Sequence, residues 1–86
     1  MINWKKKEYA DLVEAFVSLR TTNDMQDFLR DLATESEITE FAKRFRAARM
    51  LADGTSYTII EKETGLSSTT IASVSLWLNG KKGGYK

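Results

Sequence analysis

The residues from Thr64 to Gly80 read TGLSSTTIASVSLWLNG, a stretch without one ionisable side chain in a sequence that is 29% charged. Its chemistry is that of short hydroxyls. Ser67, Ser68, Thr69, Thr70 and Ser73 crowd around the start of a helix, where hydroxyls and free backbone amides can hold a phosphate or meet a base edge. None of them can supply the bidentate guanine contact that Arg or Lys makes. Elsewhere the chain offers little else that reacts. It has no His and no Cys, which removes imidazole acid–base catalysis, a thiol nucleophile, disulfides and any Cys/His zinc site. Its carboxylates are scattered over helix surfaces and caps with no acid–base pairing. The expectation is a non-enzymatic protein that takes no cofactor or metal.

The placing of charge supports binding over catalysis. The formal net charge is only +1, but residues 8–40 hold nine acids against Arg20 and Arg30. Residues 41–86 hold three acids against eight bases, so phosphate contacts belong in the second half. Ordinary solvated surface charge accounts for the same asymmetry. A Cys-free composition fits a reducing cytoplasm. The N-terminal MINWKKKEYAD has no apolar run behind its lysines, so no signal peptide, membrane span or membrane partner is expected.

The elements that must position the hydroxyl cluster are all helical. There is no Pro, and no strand alternation or internal repeat. Tyr9, Leu12, Val13, Phe16 and Val17 fall on one face of a first helix. Thr21, Thr22 and Asn23 interrupt, and Asp24 and Asp27 suit the first turn of a second helix whose apolar stripe is Met25, Phe28, Leu29 and Leu32. Thr34-Glu35-Ser36-Glu37 has capping-box spacing, with Ala33 and Ile38 at staple positions. It opens a third helix ending near Ala52 or Asp53, before Gly54 as a left-handed cap. Ile38, Phe41, Phe45, Ala48 and Ala52 form one face of that helix while Ala47 and Leu51 point another way, so it is wanted by more than one neighbour. Ser56 caps a fourth helix over 57–64 and Ser67 caps a fifth to about Asn79. Residues 80–86 (GKKGGYK) are expected to be a flexible basic tail.

The fourth and fifth helices have the spacing of a helix-turn-helix over 56–79, with helices 9–54 as the core or dimerisation part. Ile60 and Gly65 are five apart, and Ile71 and Val74 follow Leu66 by five and eight. Those apolar pins lock two short helices steeply across a glycine turn; an ordinary helical hairpin is the alternative. Glu61 is awkward, since it takes an inward position where a small residue is commonest. With Ile71 buried, Ser68, Thr69, Ala72, Ser73 and Leu76 face outward. Positive charge must come from Lys81, Lys82 and Lys86, from Lys62, and from Arg44, Arg46 and Arg49 on the third helix. The candidate DNA-contacting set is therefore Ser67, Ser68, Thr69, Thr70, Ala72, Ser73, Lys81, Lys82, Arg44 and Arg46. Trp4 and Trp77 are assigned to the core or to a dimer seam.

The segments RFRAARMLADGTSY, IIEKETGLSSTTIASVS and WLNG…GGYK resemble the Trp repressor superfamily, and more closely its Trp-repressor-like branch of small bacterial proteins, the YerC/YecD type. The likeness covers about residues 10–86 and is strongest from Ile38 onward. In that branch a Glu at the Glu61 position and a Thr-Gly pair like Thr64-Gly65 are familiar. The resemblance implies a single all-α, five-helix domain and an intertwined homodimer. It implies transcriptional regulation by binding double-stranded DNA at two half-sites one helical turn apart. The true repressor holds its corepressor with one arginine on the third helix, matched here by Arg44, and another on the recognition helix, which falls at Ser73. A serine cannot pair with a carboxylate as arginine does, so tryptophan is not expected as a ligand and no other effector is indicated. The branch often has arginine at the Ser73 position and a basic residue near Leu76, both absent here, and the chain stops without the true repressor's final helix. A module that keeps the fold and turns the uncharged 65–80 face to a protein partner is the competing expectation.

Overall fold

The structure is a computed structural model that describes residues 1–80. The candidate contacts Lys81 and Lys82, and the basic tail beyond Gly80, lie outside the described residues. Five helices run in order, α1 Lys7–Ser18, α2 Thr22–Leu32, α3 Glu35–Ala52, α4 Tyr57–Thr64 and α5 Ser68–Leu78, and no strand occurs among the described residues. The chain divides into two compact units, Met1–Thr34 and Glu35–Lys86.

The first unit is a pair of amphipathic helices joined by a short link. α1 begins one half-turn earlier than the apolar stripe, at Lys7, whose ammonium reaches Asp11 one turn on at 3.1 Å. Thr21 is the α2 cap, accepting from the Asp24 amide at 3.1 Å. Thr22 and Asn23 are therefore helical, not part of the break, because one hydroxyl suffices to satisfy the first turn. Asp24 occupies that first turn, while Asp27 sits further along and pairs with Arg30 at 3.2 Å. Phe16 and Phe28 meet edge to face, centroids 5.3 Å apart, which is the favoured geometry for two ring quadrupoles. Trp4 packs edge-on against Tyr9 at 6.5 Å. No residue of α1 or α2 is buried.

The second unit closes a core. α3 packs against both α4 and α5, and these pack on each other. Ala47, Ala48, Ile60, Leu66, Ile71 and Val74 are buried together, with Met50 and Leu51 against them. Alanines at the α3 positions facing two neighbours let both helices approach closely. α3 ends in a reversed turn: Gly54, at φ +81°, donates to the Leu51 carbonyl while Thr55 donates to Met50. That double bond pattern stops the helix cleanly and re-aims the chain into α4. Phe41 and Phe45, expected with Ala48 on one apolar face, are instead about half exposed. Trp4 and Trp77 are not core residues of the chain, being 60% and 56% exposed. On α5 the buried line is Ile71, Val74 and Leu78, and at 3.6 residues per turn Trp77 lies roughly a quarter turn away from it.

Candidate nucleic-acid interface

The turn between α4 and α5 is built by Thr64 and Gly65. Gly65 caps α4 at φ +74°, its amide bonded to the Glu61 carbonyl at 2.9 Å; a side chain there would strain the backbone. Thr64 is the one buried polar residue among those described. Its hydroxyl donates to the Ile60 carbonyl at 2.7 Å and accepts from the Leu66 amide at 3.2 Å, so a single side chain satisfies both sides of the corner. Glu61 is only half-buried, which lets its carboxylate stay solvated and removes the packing objection to it. Ile60 and Ile71, both fully buried, join one core from the two sides of this turn.

At the start of α5, Ser67 is the cap. Its oxygen accepts from the Thr70 amide at 3.1 Å and its proton goes to the Thr70 hydroxyl at 3.0 Å. Ser73 donates to the Thr69 carbonyl at 3.2 Å. Two of the candidate hydroxyl contacts are thus engaged in holding the helix start, and a third has its proton committed inside the helix. Ser68 and Thr69 are exposed and make no side-chain hydrogen bond among the described residues, leaving both hydroxyls available. Ser68, Thr69, Ala72, Ser73 and Leu76 are all exposed, so the outward face is as the helical spacing predicts.

The two candidate arginines part company. Arg44 stands beside α5 and, with Thr70, Ser73, Val74 and Trp77, lines a cleft of about 260 Å³; its guanidinium is 4.0 Å from Glu40. Arg46 turns to α4 and pairs with Glu63 at 3.7 Å. Both pairs are solvent-exposed and hold little energy, so either guanidinium can leave its carboxylate for a phosphate. Arg49 and Lys62 form no ion pair among the described residues and are exposed. Trp77 in this cleft was not among the candidate site residues; its spacing from Thr70, Ser73 and Val74 (i+7, i+4, i+3) is the signal that places it on that side of α5. No group of three or more carboxylates among the described residues could hold a metal ion, and no described helix is long and apolar enough to cross a membrane.

The family described as Trp repressor protein matches residues 7–86. The chain belongs to the Trp repressor family. It is 39% identical over 80 residues to YerC, an uncharacterized protein of Bacillus subtilis (strain 168), covering 93% of this chain and 77% of that one. A crystal structure of a TrpR-like protein from Eubacterium eligens ATCC 27750 superposes with a TM-score of 0.87 at 35% identity, over 95% of this chain and 84% of the other. The resemblance to the YerC-type branch of the Trp repressor family and the all-α fold are thereby established. That fold is a regulatory, DNA-binding one, and no feature of the comparisons points to an enzyme. Arg44 and Ser73 both line this one cleft, which thus holds one guanidinium.

Proposed function

We propose that the chain is a sequence-specific, DNA-binding transcriptional regulator that works as a homodimer. The observation that carries this is the two-sidedness of α5: Ile71, Val74 and Leu78 close on the core, while Ser68, Thr69, Ala72, Ser73 and Leu76 stand free on the other side. A recognition helix needs that arrangement, pinned by its back and bare in front. Ser68 and Thr69 at the helix start would meet phosphate or base edges, with the backbone amides and the helix dipole assisting. Arg44 and Arg46 would flank them, and Lys81 and Lys82 would anchor the far end. The homodimer is supported by the large apolar side chains that one chain leaves exposed, including Val17, Leu32, Phe41 and Phe45, which a second copy would cover. With Ser73 lining the cleft beside Arg44, a carboxylate ligand would gain one guanidinium and not two, so no tryptophan effector is proposed.

One observation favours a second reading. Leu76 and Trp77 are 73% and 56% exposed, and an uncharged, aromatic-bearing face also suits a protein interface. Fluorescence anisotropy of the full chain against a labelled mixed-sequence duplex, at low and then near-physiological salt, separates the two. The regulator binds with a salt slope no steeper than the four basic candidates of each subunit can give, and loses binding in the Lys81→Glu/Lys82→Glu variant. No binding at low salt would end the regulator reading, and a slope steeper than about eight phosphate contacts give would contradict this contact set.

A further inference from the structure

We infer that α5 selects thymine: Leu76, Ala72 and the methyl group of Thr69 form a strip that receives the C5-methyl groups of A·T pairs in the major groove. This deepens the regulator reading and rests on it. The three residues are spaced i, i+3 and i+7 and are all exposed on the side of α5 away from Ile71 and Val74. Leu76 is 73% exposed, a large aliphatic group kept in water where nothing in the fold requires it. The hydrogen-bonding inventory of the same face explains why its specificity must be apolar. Ser67 and Thr70 are engaged in the cap, and the Ser73 proton goes to the Thr69 carbonyl. Ser73 can still accept, from an adenine or cytosine amino group, but it cannot donate. Free hydroxyl donors are therefore confined to the first turn, to Ser68, Thr69 and the half-buried Thr70, which only accepts from Ser67, while the outward side of the later turns carries Ala72, Leu76 and the accepting oxygen of Ser73. In the major groove, the thymine methyl is the base-edge group that carbon recognises. Guanine, which calls for a bidentate donor, has no partner on this face.

The test begins with duplexes selected from a random-sequence pool on the full-length protein. Each is then remade with dU for dT, one position at a time, which deletes a methyl group and leaves the base pair intact. The expected result is a loss of roughly fourfold in affinity per contacted methyl at one or two positions. Leu76→Ala should erase the dT/dU discrimination at one of those positions while still binding the dU duplex. Because Leu76 is exposed, this variant keeps the fold. Equal binding of dT and dU duplexes, or discrimination that persists unchanged in Leu76→Ala and in Ala72→Ser, overturns thymine selection and leaves the regulator intact. Recovery of no duplex at all overturns the regulator reading, and this inference with it.

Discussion

The two compact units use similar apolar helices to opposite ends. α1 and α2 carry well-separated apolar stripes, yet none of their residues is buried, and the aromatic pair joining the two is Phe16 with Phe28. α4 and α5 are shorter or no longer, and still contribute Ile60, Leu66, Ile71 and Val74 to a closed core. The difference lies in geometry more than in hydrophobicity. Two helices alone meet along one seam, whereas α3 gives α4 and α5 a third surface, and the Thr64-Gly65 corner turns their pins toward it. A stripe without a third partner stays in water, as Val17 does at 79% exposed. The lesson is that amphipathicity announces that a helix wants a neighbour and says nothing about whether the neighbour belongs to the same chain.

The comparison breaks most sharply with paired alanine substitutions. Ile71→Ala empties a fully buried site and should cost about 2–5 kcal/mol, since the lost transfer free energy and the cavity add. Val17→Ala removes a side chain that one chain leaves exposed, so in an isolated subunit it should be close to neutral. In the proposed homodimer the same change lies in the seam and should lower stability in a way that depends on protein concentration. Urea unfolding of both variants at two protein concentrations reads this out. A Val17→Ala protein that matches the parent at every concentration would show that the first unit's stripe is not where two subunits meet.

How legible each unit was follows from the same geometry. All five helices and the α5 face could be read from the sequence, because caps such as Ser56 and Ser67 and the pins Ile60, Leu66, Ile71 and Val74 are local features at fixed spacing. The Trp repressor likeness was legible for the same reason, the segment IIEKETGLSSTTIASVS running through that corner. What could not be read was which apolar residues one chain buries. Phe41 and Phe45 share a helix face with Ala48, but Ala48 is buried and they are about half exposed, because a periodic pattern does not record where the neighbouring helices end. Trp77 was placed in the core or at a dimer seam since its size invites burial; within one chain it is not core but stands 56% exposed beside Arg44. The Ser67–Thr70 hydroxyl contact and the engagement of Ser73 escaped, because hydroxyl rotors settle on helical partners that only coordinates show.

A smaller effect sharpens the picture of the corner itself. Thr64→Val keeps the shape and removes the hydroxyl, leaving the buried Leu66 amide without its 3.2 Å acceptor. The expected cost is about 1–3 kcal/mol, the desolvation penalty of an orphaned donor. Amide hydrogen exchange should localise it, with Leu66 losing protection while the α1 and α2 amides keep theirs. Loss spread evenly over both units would mean that they unfold as one and that the corner has no separate stability.

The smallest effect concerns ion pairs, which are solvent-exposed in both units. Lys7–Asp11 and Arg30–Asp27 in the first unit and Arg46–Glu63 in the second are all exposed pairs. If apolar closure alone distinguishes the second unit, the Arg46–Glu63 link between α3 and α4 should contribute little despite joining two helices. A double-mutant cycle with Arg46→Ala and Glu63→Ala should return a coupling of about 0.2–1 kcal/mol, fading as salt is added. The same Arg46→Ala variant should bind duplex DNA more weakly than the parent, since its guanidinium is one of the proposed phosphate contacts, and Glu63→Ala should bind it at least as well. A coupling well above that range would make the α3–α4 contact electrostatic in origin. Arg46 would then be a fastening of the helix-turn-helix to α3, and its place in the DNA contact set would pass to Arg44, Arg49 and Lys62.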